Sequence, residues 1–207
     1  MNLIGTRQIE TDRCILRRIR PEDCEAMYEN WARYEEVCRY FPFHPVSGLA
    51  EYREKVEKWV SSYDSGSYFH WVVVWKETGE PVGTINLGNV DGSCMMADTC
   101  YMLSPRLWNI GVMTEVLRAV LRYAFCEIDL NRVQAEVFRG NVASAKVLEK
   151  CGMKYEGTAR QKYFKDGVFI DAAQYAIIRE DYEGACEKRP PEGRGFERIS
   201  EDLRGAE

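Results

Sequence analysis

Residues 104–125, SPRLWNIGVMTEVLRAVLRYAF, decide how the rest of the chain is read. A Ser-Pro pair closes an apolar strand-like run, and a glycine, Gly111, follows among bulky neighbours. From there Met113, Val116, Leu117, Val120, Leu121 and Ala124 recur at helical spacing, so one face of the predicted helix is apolar. Thr114, Glu115, Arg118 and Arg122 fall on the opposite face. No Asp, Glu or Ser fills the first turn. Asn109 can cap it, yet several backbone N–H groups stay free, and Gly111 lets a ligand approach the chain closely. A strand-to-helix turn of that kind suits an anion, most simply a phosphate held by N–H groups and the helix dipole. An ordinary capped helix is the competing reading.

The elements on either side place this turn inside a strand-helix-strand unit. Residues 95–103 read as a fourth strand and Arg132–Phe138 as a fifth, with Val133, Ala135 and Val137 on one side. The span between them has the length of a parallel crossover unit. Upstream, residues 13–19 alternate as a first strand. Pro21 then sits at a natural first helical position in PEDCEAMYENWAR. Pro42 and Pro45 in FPFHP stop that helix, and Ser47 caps a second one to about Tyr63. The aromatic loop between them (Tyr40, Phe41, Phe43, His44) is placed to line a substrate mouth. Residues 68–75 are apolar on both faces, as a strand covered on both sides would be, and 81–87 form the next strand after the turn ETGE. Downstream, Asn141 caps a helix that Gly152 stops. Residues 154–164 and Val168–Ile178 form a closing hairpin.

At 207 residues the chain is long enough for one sizeable core. We expect one domain over 1–183 and a polar tail over 184–207, in which a surface helix over 196–203 is an option. The net charge of −5 argues against a general nucleic-acid binder. No apolar run reaches membrane-spanning length, and MNLIGTRQIE lacks the apolar core of a signal peptide. The eight cysteines are scattered, none in a Cys-x-x-Cys pair, and only His44 and His70 are available to join them. Small buried thiols in a reducing cytoplasm are expected, and no metal site.

The predicted order β, α, α, β, β, β, α, β, α, β, β resembles the GNAT acyl-CoA-dependent N-acyltransferase superfamily, over about residues 8–182. The likeness is closest to the RimJ/RimL-like branch that acetylates ribosomal-protein N-termini. Four stretches carry it: TDRCILRRIRPEDCEAM, ETGEPVGTINL, WNIGVMTEVLRAVLRYAF and NRVQAEVFRGNVASAKVLEKCGMKYEG. One departure stands out. The family loop usually has a glycine where this chain has Asn109, a residue that tolerates left-handed backbone angles.

The resemblance implies an α/β (α+β) fold: a central twisted mixed sheet of about seven strands with helices on both faces, strands four and five parallel and splayed. It implies acetyl-CoA as cosubstrate and direct transfer to a primary amine, with no metal. The pantetheine arm would pair with strand four near Met102 and Leu103, where a backbone N–H polarises the acetyl carbonyl. The N–H groups of Asn109, Ile110, Gly111, Val112, Met113 and Thr114 would hold the pyrophosphate, and Asn141 the pantetheine arm. Many relatives place a tyrosine seven positions after that asparagine as the acid for the thiolate; here the position is Leu148. The branch resembled has a serine three positions after it, which here is Ser144. Its alternative role is to bond its own helix backbone. Asp98 and Glu136 are the carboxylates placed to act as base, with Asp171 a third candidate, and each has the alternative of a strand-surface ion pair.

The favoured acceptor is a protein N-terminal amine. Small amines (polyamines, aminoglycosides, amino acids) and a non-catalytic acyl-CoA-binding role are the alternatives. A shallow open groove would suit peptide ends, a closed acidic pocket polyamines. The protein is expected in the cytoplasm as a monomer or homodimer.

Overall fold

A computed structural model describes residues 1–187, with side chains described through Glu183. Eight strands form one sheet in the order β1-β2-β3-β4-β5-β6-β8-β7. They are β1 (Ile9–Glu10), β2 (Cys14–Arg17), β3 (Phe69–Trp75), β4 (Pro81–Asp91), β5 (Met96–Leu103), β6 (Arg132–Phe138), β7 (Lys154–Lys165) and β8 (Val168–Ile178). The sequence had pointed to about seven. The extra one is the two-residue β1, too short to show an alternation, which pairs Ile9 with Leu16 on β2.

Every neighbouring pair is antiparallel except β5 and β6. Those two run parallel for only three residue pairs, Met96 with Arg132, Ala97 with Val133 and Asp98 with Gln134. Beyond Asp98 they diverge. Each keeps its outer partner, β4 for β5 and β8 for β6, so the gap between them is a wedge lined by backbone groups with no strand to pair with.

The sheet is covered on both faces. On one lie α4 (Val112–Arg122), its wide final turn Tyr123–Ile128, and α5 (Val142–Lys150). They pack onto Phe69, Trp71 and Val73 of β3 and onto Val133, Ala135 and Val137 of β6. On the other lie α1 (Cys24–Met27), its continuation Tyr28–Ala32, the short α2 (Glu35–Cys38) and α3 (Leu49–Ser62), against Val72, Val74 and Met102. The residues of β3 thus sort to the two cores by parity, the origin of its unbroken apolar run. The four-residue α2 lies between the first predicted helix and the proline-rich loop.

Local chemistry explains most boundaries. Gly48, not Ser47, is the residue that enters α3; Ser47 instead receives Glu51, whose carboxylate accepts from Ser47 N–H and Oγ at 2.9 Å each. The wide turn after α4 ends at left-handed Asp129, and Arg179 clamps it through Asp129 (2.7 Å) and the Phe125 and Leu130 carbonyls. Gly83 on β4 has no room for a side chain: an added Cβ would lie 2.4 Å from the Met102 carbonyl.

Among the described residues no cysteine forms a disulfide; Cys14, Cys24, Cys38 and Cys151 are buried, and Cys94, Cys100 and Cys126 are exposed. The closing hairpin is followed by α6 (Arg179–Glu187), whose Tyr182 ring stacks on Phe125 at 4.8 Å. The remainder of the expected tail, with its optional helix over 196–203, lies outside the described residues. Among the described residues no helix is long and apolar enough to cross a membrane.

Candidate active site

Residues 104–125 form the floor of the site. Pro105–Leu107 make a single tight turn, Asn109 adopts φ 63° and Gly111 φ 82°, and α4 begins at Val112. Asn109 therefore supplies a left-handed corner rather than the cap: Gly111 holds the capping position, and no side chain caps the helix. The first helical bond runs from Glu115 N–H to the Gly111 carbonyl at 3.1 Å. The N–H groups of Val112, Met113 and Thr114 thus have no helical acceptor. Ile110 is 52 % exposed, and an added Cβ on Gly111 would come within 4 Å of Arg13 Nη2 alone, so the loop is open to a ligand.

Residues from the far end of the chain fix this loop, and sequence reasoning missed them. Arg13 on the approach to β2 donates from Nη1 to the Ile110 carbonyl (2.9 Å) and from Nε to Glu115 (2.6 Å), while its N–H reaches the same carboxylate at 2.9 Å. Burial raises the Glu115 carboxyl, but the Thr11 and Arg13 bonds outweigh it and hold the group below its usual range. Trp108 packs beside the loop and donates to the Leu103 carbonyl at 2.9 Å.

The wedge supplies the next groups. Ser104 N–H donates to Val82 O and Cys100 N–H to Asn86 Oδ1. By strand alternation the Met102 amide also faces β4, so the amides of Tyr101 and Leu103 face the wedge. Across it, Asn141 caps α5, its side-chain oxygen accepting from Ser144 N–H at 3.2 Å. The Ser144 hydroxyl lies 2.9 Å from Tyr101 Oη rather than on its own helix backbone. Leu148 is fully buried in the core.

The carboxylates are all engaged. Asp98 closes the narrow end of the wedge, accepting from Asn89 Nδ2 (2.6 Å) and Gln134 Nε2 (2.7 Å). Glu136 accepts from Lys162 and from Tyr163 Oη (2.5 Å). Burial raises its carboxyl, but those donors prevail and hold it below the ordinary value; in return Tyr163, already raised by burial, is pushed up to about 12. Asp171 accepts from Gln161 N–H at 2.8 Å and pairs with Arg139 at 3.5 Å, tying down the closing hairpin.

On the opposite face of the sheet a cavity of about 280 Å³ opens beside the divergent part of β5. Its walls are largely aromatic: Trp31, Tyr52, Trp59, Tyr68 and His70, with Met102 on the floor. Of the aromatic loop residues expected at a substrate mouth, Phe43 and His44 lie at its edge while Tyr40 and Phe41 are not part of the lining, and Lys165 holds that loop by donating to the Cys38, Arg39 and Phe43 carbonyls. Among the described residues, no carboxylate lines it. His70 is buried, bonded to Tyr68 Oη at 2.9 Å, and burial pushes its imidazole down to about 4, so it is neutral. Among the described lining residues Lys55 brings a charged side chain, which pairs with Glu51 at 3.1 Å, and His44 at the edge lies 3.5 Å from Glu35 and 3.0 Å from Asp166.

A splayed parallel pair, an uncapped helix start beneath it and a cavity on the far side make a place for a thioester to meet an amine. The family comparison agrees: residues 13–154 match the model described as an acetyltransferase (GNAT) domain. The chain belongs to the GNAT acetyltransferases. This acetyltransferase is 30% identical over 171 residues to the uncharacterised N-acetyltransferase YoaA of Bacillus subtilis, covering 83% of this chain and 96% of that one. It is 23% identical over 181 residues to the [ribosomal protein uS5]-alanine N-acetyltransferase of Escherichia coli, covering 84% and 92%. A GNAT-family acetyltransferase of Bacillus anthracis superposes with a TM-score of 0.75 at 26% identity, covering 84% of this chain and 99% of that one. The protein is thus an acetyl-CoA-dependent N-acetyltransferase.

Proposed function

We propose that this acetyltransferase passes the acetyl group of acetyl-CoA directly to a protein N-terminal amine whose first side chain is small or apolar. The observation that carries the reading is the aromatic cavity, with no carboxylate among its described lining residues, beside the open end of the β5–β6 wedge. A polycation would need acidic partners to offset its desolvation, so the polyamine alternative finds no support in this lining. An N-terminal residue brings one amine and one compact side chain, and a likeness to the uS5-alanine enzyme points to the same class.

In this reading the donor is held from the α4–α5 face. The N–H groups of 109–114 take the pyrophosphate, with Arg13 and Glu115 keeping the loop in shape. The wedge-facing N–H of Leu103 polarises the acetyl carbonyl. Asn141 uses only its oxygen as a cap, which leaves its amide N–H groups for the pantetheine arm. Ser144 protonates the departing thiolate. Asp98 and Glu136 brace the wedge and the hairpin, each being already bonded. The aromatic walls do the work of a base: desolvation lowers the pKa of an ammonium, so the amine arrives neutral.

The test is release of free thiol from acetyl-CoA across a panel of amines. Short peptides beginning with alanine, serine or methionine should turn over, their N-blocked forms should not, and spermidine should be poorer by at least about tenfold. Preferential acetylation of spermidine would remove the proposed acceptor class while leaving the family assignment untouched.

A further inference from the structure

Ser144 does not stand alone. Tyr101 Oη lies 2.9 Å from its hydroxyl and 3.4 Å from its carbonyl oxygen, so either hydroxyl of the pair can donate to the other. Tyr101 sits on β5 three residues past the last β5–β6 pair, where the strands have separated. Its side chain reaches α5 from there, and the same residue borders the aromatic cavity. Burial raises the phenol well above its ordinary value, against the opposing pull of Ser144, which keeps it neutral and able to donate. The ring packs against the apolar cluster around α4, and the oxygen reaches Ser144.

We infer that Tyr101 is a positioning residue that works through Ser144, aiming the serine hydroxyl at the leaving sulfur and donating a hydrogen bond to its oxygen as the proton is given up. The inference rests on the reading of Ser144 as the acid. The amine lone pair forms a C–N bond to the acetyl carbon, and the C–S bond breaks with its electron pair left on sulfur. Ser144 Oγ gives its proton to that sulfur while Tyr101 Oη, itself staying protonated, donates a hydrogen bond to the serine oxygen as charge develops there. The acylated nitrogen loses its surplus proton to water, which returns one to the Ser144 oxygen. One amine proton has been exchanged for one thiol proton, and no external co-reactant is needed. A hydroxyl hydrogen-bonded to a developing oxyanion contributes most when charge is present, so the effect belongs to kcat and not to ground-state binding.

Tyr101→Phe, Ser144→Ala and the double variant decide it, each assayed by thiol release with the best peptide of the panel, by titration calorimetry with acetyl-CoA and by thermal melting. Ser144→Ala should lower kcat about 100-fold, the low end for a general acid. Tyr101→Phe should lower it about tenfold, the worth of one hydrogen bond to a charged group. The KM for peptide and the Kd for acetyl-CoA should stay within about twofold of wild type. The double variant should be no slower than Ser144→Ala, because the tyrosine has nothing left to act through. Wild-type kcat in folded Tyr101→Phe beside a slow Ser144→Ala overturns the role of Tyr101 alone. Losses that multiply in the double variant overturn the coupling. Raised KM with unchanged kcat makes Tyr101 a packing residue. A wild-type protein that releases thiol with no amine of the panel strikes instead at the proposed function.

Discussion

On the α4–α5 face of the sheet, the groups offered to a ligand are mostly backbone N–H groups on a few consecutive residues, 109–114, and on the free edge of β5. On the α1–α3 face they are side chains gathered from three helical elements, a proline-rich loop and three strands. The first arrangement needs only a left-handed corner and a helix start, and it suits a part of the reaction that is the same in every turnover. The second is assembled by tertiary packing, and its charged side chain, Lys55, is paired with Glu51. Backbone recognition serves the common cosubstrate, and side-chain recognition serves the variable acceptor.

If the acceptor face is built around neutrality, acid should disturb it first. Buried His70 titrates near 4, against an ordinary value near 6.5. Between those values the unfolded chain binds a proton that the folded one refuses, so stability falls as pH drops through that window. The loss should reach about 3 kcal/mol below pH 4, and His70→Asn should remove most of that slope. Denaturant melts at pH 7, 5.5 and 4.5 check it, and parallel curves for the two proteins would detach His70 from the acid response.

Next in size is the donor loop. Gly111→Val should weaken acetyl-CoA by at least about tenfold, since φ 82° is hostile to a branched side chain and the added group would face the ligand. Its effect on the KM for amine should be small. Unchanged calorimetry in the folded variant would separate the loop from the cosubstrate.

How much of this was legible follows the same division. Residues 104–125 showed the turn, the glycine and the helix because all three are local, and Asn141 and Gly152 marked the ends of α5 for the same reason. The β5–β6 divergence came from resemblance, not from periodicity, since a strand reads alike whether or not its neighbour leaves. The Arg13–Glu115 clasp joins residues 102 positions apart and Tyr101–Ser144 joins residues 43 apart; nothing local announces either. Asn109 was assigned the cap on residue type, and the backbone gave that place to Gly111 because the chain needs two left-handed residues there. Alternation along 95–103 put Tyr101 on the opposite face from Asp98 and Cys100, and that signal was there to be used. The aromatic loop was anticipated at the mouth, but its tether, Lys165, comes from the far hairpin.

Two smaller effects sharpen the contrast. Asn141→Ala should lower stability by about 1 kcal/mol through the lost cap, and weaken acetyl-CoA in addition if the same side chain serves both. Melting together with calorimetry separates those contributions. Lys55→Glu places an acid at the rim of the cavity and breaks its pair with Glu51. It should shift the ratio of spermidine to peptide turnover upward by about threefold, leaving acetyl-CoA affinity unchanged. An unaltered ratio would put the acceptor elsewhere than this cavity.

The division of labour between the two faces is tested most directly by amide hydrogen exchange with and without acetyl-CoA. The account predicts slower exchange at Tyr101, Leu103 and Gly111 through Thr114 on binding, with α3 from Tyr52 to Trp59 unchanged until a peptide amine is added. Protection that appears in α3 with acetyl-CoA alone and is missing from 111–114 would contradict it.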